Sequence, residues 1–104
     1  MVSQAKFYPG QIVDHSRFGY RGVVVDVDPV FSMSDEWYEQ VARSRPPKDK
    51  PWYHVLVDNA EHTTYVAERH LNPAADLTSV THPQLNRYFS LYEDGKYIPL
   101  RVAM

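Results

Sequence analysis

Apolar and polar side chains alternate along residues 23–28, with Val23, Val25 and Val27 on one face and Val24, Asp26 and Asp28 on the other. That repeat predicts a half-buried strand. The preceding turn, Phe18-Gly19-Tyr20-Arg21-Gly22, places glycines where the backbone bends or approaches a neighbour, as at the corner of a small barrel. Upstream, Phe7-Tyr8-Pro9-Gly10 is a turn signal leading into a short strand over residues 11–15. Pro29 ends the valine strand because it lacks an amide donor.

The strongest strand pattern is Trp52-Tyr53-His54-Val55-Leu56-Val57-Asp58, which turns through Asn59-Ala60-Glu61 into His62-Thr63-Thr64-Tyr65-Val66-Ala67. A turn of those residues alone sets Asp58 opposite His62 and Val55 opposite Tyr65. Tyr53, Val55, Val57, Thr63, Tyr65 and Ala67 then share the core face, and His54, Asp58, His62 and Thr64 the outer one. A turn one residue longer changes every pairing.

Between these strands, Ser32 or Ser34 caps a short helix whose start carries Asp35, Glu36 and Glu39. Trp37, Tyr38, Val41 and Ala42 recur at helical spacing up to Arg43, and the proline-rich segment 45–51 ends the helix as a stiff, exposed loop. Glu68-Arg69-His70-Leu71 predicts a 3₁₀-like turn before a last brief strand. Farther on, Leu85, Tyr88, Phe89, Leu91 and Tyr92 predict a short helix with an apolar stripe, closed by Asp94-Gly95 and followed by an extended ending at Tyr97-Ile98-Pro99-Leu100. The sum is a mainly β domain: an SH3-like barrel of about five strands with one inserted helix, whose closure removes exposed edges. The barrel spans about 7–72, and a helical and extended tail occupies about 73–104 of one domain covering 1–104.

At 104 residues and 43% hydrophobic content, one modest core is all the chain can build. A formal charge of −2 argues against a general polyanion binder, so any nucleic-acid contact needs a local basic patch. The absence of cysteine excludes disulfides, thiolate chemistry and Cys-type zinc sites, and fits a reducing cytoplasm. No segment approaches the apolar length of a membrane span or a secretion signal, so the expectation is a soluble, unprocessed cytoplasmic protein.

The five histidines show no zinc-binding spacing. His54 and His62 share the expected outer face with Asp58, a crude cluster able to bind zinc or polarise water, although a cross-strand Asp–His pair is the simpler reading. No serine has a nucleophile-elbow context and no glycine loop cradles phosphate, so neither catalysis nor a cofactor is expected. Asp26 and Asp28, two residues apart on one strand face, have the spacing of a paired-carboxylate site, but solvation and edge protection of the strand is the simpler reading. The basic residues are more informative. Arg17 and Arg21 flank the first turn, and Arg43, Arg45, Lys48 and Lys50 crowd the loop before Trp52. With Tyr20, Trp52 and His54, they form a candidate surface for a phosphate backbone and a stacked base. The competing reading is a solvated loop with its aromatics turned inward. In the tail, Tyr88, Phe89, Tyr92 and Tyr97 carry too much apolar surface for water; they pack on their own chain or form a docking segment or subunit interface between like copies.

Two blocks, Val13-x-His15-x-x-x-Gly19-Tyr20-x-Gly22-Val23-Val24-x-Asp26-x-Asp28-Pro29 and Pro51-Trp52-Tyr53-His54-Val55-Leu56-Val57, followed by Tyr65-Val66-Ala67-Glu68 and Leu71, resemble the HspQ family, the YccV-like hemimethylated DNA-binding domain of bacterial heat-shock proteins. The similarity runs from about Phe7 to Leu71, and the tail beyond it departs from the pattern. The resemblance implies an SH3-like barrel in a non-enzymatic cytoplasmic stress protein. It also implies a specificity factor for the Lon protease acting on clients such as the replication initiator DnaA. Its alternative implication is binding to hemimethylated origin DNA.

Overall fold

The described residues form seven strands and two short α-helices: β1 (Ile12–His15), β2 (Arg21–Asp28), α1 (Asp35–Val41), β3 (Trp52–Val57), β4 (Thr63–Ala67), β5 (Leu71–Pro73), α2 (Leu85–Tyr88), β6 (Phe89–Glu93) and β7 (Lys96–Pro99). They are seen in a computed structural model that describes residues 4–100. Strands β1 to β5 form one antiparallel sheet in the order β4-β3-β2-β1-β5, and β6 and β7 form a separate hairpin. The result is the expected small β fold with one inserted helix, except that the sheet does not close into a barrel. A 3₁₀ turn at Glu68–His70 carries the chain from β4 to β5, which pairs with β1. Among the described residues, nothing pairs with the outer edge of β4.

Strict alternation fails within β2. The pairing with β3 slips between Val24 and Asp26, so Val25 is the extra residue of a bulge. Val24 and Val27 pack with Phe7, Val13, Tyr53, Val55, Val66 and Leu71 inside the curved sheet. Val23 and Val25 instead pack on its other side with Ile12 and Leu56. Both faces of this sheet are covered, so a run of consecutive valines satisfies both. Gly22 allows the close approach of β3: a Cβ there would lie 2.5 Å from the Leu56 carbonyl oxygen and 2.6 Å from Val55 Cγ1.

The β3–β4 register corrects the expected hairpin by one residue. His54 pairs with Tyr65, Val55 with Thr64 and Leu56 with Thr63. Asp58 does not pair across the hairpin because its carboxylate accepts from Arg21 at 2.9 Å and from the Thr81 amide at 2.7 Å. Asn59, at φ 59°, helps turn the longer loop. Tyr65 and Ala67 therefore lie with Trp52 on the outer face, where α1 covers them through Tyr38 and Ala42. The helix starts where expected, with Ser34 Oγ accepting the Trp37 amide at 3.1 Å. The loop after it is tied down, since Tyr38 donates to the Pro46 carbonyl at 2.7 Å and Trp52 Nε1 to the Pro47 carbonyl at 3.0 Å.

The tail departs most from expectation. Helix α2 is only four residues long, and the apolar stripe continues as β6. Asp94 and Gly95, at φ 52° and 81°, make a tight hairpin turn rather than a helix stop. The hairpin packs on the outer face of the main sheet, where Ala74, Val80, Phe89 and Tyr97 cover Ile12, Val23 and Leu56. The Tyr97 amide donates to the Gly10 carbonyl at 2.9 Å, fastening β7 to the turn before β1.

Candidate binding groove

The free edge of β4 lies in a groove of about 590 Å³. One wall is the turn after β1, carrying His15, Arg17, Phe18 and Tyr20. The other is the helical segment with Met33, Trp37, Val41 and Arg43, while all of β4 contributes between them. Among the described residues no carboxylate lines the groove, although the chain holds 13 acidic residues against 11 Lys and Arg.

His15 builds the first wall. Its Nδ1 accepts the Arg17 amide at 3.1 Å and the Phe18 amide at 3.0 Å, which requires an unprotonated Nδ1. Burial lowers its pKa from the ordinary 6.5, and neighbouring His70 and Arg17 push the same way. The imidazole stacks on Phe18 at 4.7 Å and on His70 at 5.6 Å. The Phe18 ring is thus held in place while 73% of the residue stays exposed, with the Arg17 guanidinium 6.0 Å from its centre. Tyr20 bridges to β4 through a 2.7 Å hydrogen bond between its hydroxyl and Thr64 Oγ1.

Tyr65 organises the second wall. Its hydroxyl donates to Asp28 Oδ2 at 2.7 Å and accepts the Ser32 amide at 3.0 Å. Burial, followed by the bond to Asp28, pushes its pKa up to about 12, so the phenol stays protonated as a donor. Its ring stacks on Trp52 at 5.2 Å and meets Trp37 edge-on at 5.6 Å.

Of the residues singled out from sequence, Arg17, Tyr20, Arg43, Trp52 and His54 line this groove. Trp52 is itself buried and contributes mainly support. The remaining cations are elsewhere. Arg21 pairs with Asp58 and donates to the carbonyls of Asp76, Thr78 and Ser79, so its guanidinium anchors the tail. Arg45 pairs with Glu39 at 3.0 Å. Lys48 pairs with Asp35 at 3.3 Å and sits 4.3 Å from the Tyr38 ring centre. Lys50 borders a separate cleft with Lys6 and Glu68. In the tail, Phe89 and Tyr97 are buried and Tyr88 packs against them, while Tyr92 is partly exposed and donates to the Leu77 carbonyl. Its aromatic rings chiefly cover their own chain.

The crude cluster of His54, His62 and Asp58 is not assembled. His54 Nε2 lies 3.1 Å from Asp28 Oδ2, Asp58 serves Arg21, and the His62 carbonyl takes a bond from His82 Nε2. Asp26, Asp28 and His54 do bring ligand atoms within 4.8 Å of one another. Asp28 is already engaged by His54 and Tyr65, however, and Asp26 accepts the Val27 amide at 2.9 Å. The arrangement works as a hydrogen-bond chain that fixes Tyr65.

Sequence reasoning missed Phe18, Trp37 and the edge of β4. Arg17-Phe18-Gly19 did carry a signal, because a phenylalanine between a cation and a glycine sits on a turn rather than in a strand. A family model described as hemimethylated DNA-binding protein YccV like matches residues 5–96. The match extends through α2 and β6, beyond the segment where the sequence blocks had suggested similarity.

Proposed function

Because the chain belongs to the YccV-like hemimethylated DNA-binding family, we propose that it is a cytoplasmic, non-enzymatic docking module that works through the groove beside β4. The family is described by what it binds rather than by a reaction. As the HspQ resemblance implies, the first role is that of a proteostasis adaptor: a specificity factor that brings clients such as DnaA to a Lon-type protease. The observation that carries this reading is the groove itself, a cleft with apolar walls and an open strand edge, suited to a polypeptide segment. The pairing of Arg21, Arg45 and Lys48 with Asp58, Glu39 and Asp35 supports it further, by diluting any broad cationic face. The test is ATP-dependent degradation of purified DnaA by purified Lon. The chain should accelerate it, and Phe18→Ser with Val41→Ser, both exposed positions, should abolish the acceleration without changing the melting temperature. Unaltered degradation of every client tried would remove this reading.

A DNA-binding module is the second reading. The family description supports it, and so do Arg17 and Arg43 flanking a carboxylate-free groove with the exposed Phe18 ring at its rim. Guanidinium groups would hold phosphates and the ring would stack an unpaired base. Its signature is an affinity for hemimethylated over fully methylated duplex that falls steeply with salt. Equal, weak binding to all duplexes excludes methyl-specific recognition.

A further inference from the structure

We propose that β4 captures an extended polypeptide segment as an added antiparallel or parallel strand, and that the preferred segment alternates apolar and acidic residues. The proposal rests on the docking reading above and specifies its ligand. The backbone pattern provides the first argument. Val57 bonds to the His62 carbonyl and Glu68 to the Pro51 carbonyl, so His62, Thr64 and Val66 direct their amides and carbonyls toward β3. Thr63 and Tyr65 consequently direct theirs to the opposite side. Among the described residues no strand pairs with β4 on that side. Those groups point out of the open end of the sheet, and the whole strand borders the groove.

Edges of this kind are normally blunted by charge, proline or a covering segment, because they template pairing with another chain. Here the five residues of β4 contain neither a charge nor a proline. The chemistry of the walls selects the occupant. Met33, Trp37 and Val41 offer an apolar surface to one face of an added strand. On the other side stands the Arg17 guanidinium, with Arg43 adding a second cation to the lining. A strand places alternate side chains on opposite faces, so valine-like residues meet the first wall while carboxylates meet the second. The absence of carboxylates from the lining favours an acidic partner over a basic one.

The probe is a fluorescein-labelled octapeptide of alternating valine and glutamate, titrated into the full-length protein and followed by anisotropy and amide hydrogen exchange. Binding should slow exchange of the Thr63 and Tyr65 amides at least tenfold. N-methylating all valines, or all glutamates, blocks alternate donors, so one peptide should bind at least tenfold more weakly while the other is unaffected. Replacing glutamate by lysine should also weaken binding tenfold. Thr63→Pro should reduce affinity with the melting temperature kept, because proline is tolerated at the first residue of a strand. Equal affinity of both methylated peptides, or unprotected Thr63 and Tyr65, would overturn strand addition while leaving the docking reading intact. No peptide binding, with hemimethylated duplex protecting the groove instead, would overturn both in favour of DNA.

Discussion

Replacing Arg21 by methionine should be among the most damaging single changes outside the apolar core. The side chains of Arg21 and Asp58 are only 14% and 13% exposed, and their 2.9 Å contact is accompanied by guanidinium bonds to three tail carbonyls. Removing one member of a buried pair costs about 3–5 kcal/mol. Asp58 keeps the Thr81 amide at 2.7 Å, which places the expected loss near the lower end, about 3 kcal/mol. For a domain of this size that corresponds to a fall of about 12–24 °C in melting temperature. Urea unfolding read by Trp37 and Trp52 fluorescence measures the loss, since both rings lie in the cluster beneath α1. Paired with Asp58→Asn, the two substitutions should be non-additive by about 1–3 kcal/mol. Arg21→Lys should restore only part, because an ammonium cannot reproduce the planar fork. A loss below about 1 kcal/mol, or strictly additive substitutions, would refute the assignment of Arg21 as the clamp between sheet and tail.

Tyr53→Phe should cost about 1–3 kcal/mol in urea unfolding, because its hydroxyl accepts the Lys6 and Phe7 amides at 3.1 and 3.2 Å and donates to Glu68 at 2.6 Å. Gly22→Ala should cost at least about 1–3 kcal/mol through the contact with the Leu56 carbonyl; an unchanged melting temperature would contradict the close approach of β2 and β3. Acid should destabilise the fold. His15 and His70 both have lowered pKa values, chiefly from burial, so the unfolded chain takes up protons more readily. Stability from these groups is complete above the ordinary value of 6.5 and declines as pH falls below it. The melting temperature should drop between about pH 7.5 and pH 5.5, and His15→Gln should flatten that dependence. A steeper dependence in the variant would contradict the role of His15.

The order of the elements up to β5 was legible because each carries a local signal: the serine cap at Ser32 or Ser34, the Trp52 strand, the proline-rich stop after α1. What escaped depends on contacts between distant residues. Nothing in Val23-Val24-Val25 marks which valine is the extra one, since a sheet covered on both faces accepts any of them. The hairpin register turned on Asp58, whose carboxylate is claimed by Arg21 and Thr81, residues with no sequence proximity to the turn. Asp94-Gly95 is compatible with a helix stop and with a hairpin, and the covering of Ile12 and Leu56 decides for the second. In the groove, the cations were visible as residue types but their ion pairs were not. The edge of β4 is a property of backbone direction, which no side chain announces.

The clasp between Tyr97 and Gly10 has a consequence for folding. The first five strands can pair before the hairpin that shields Ile12, Val23 and Leu56 has docked on them. Until that hairpin docks, the folding protein presents a sticky patch open to association with other chains. Truncation anywhere before β7 should therefore yield an aggregating product, read by light scattering against the intact chain.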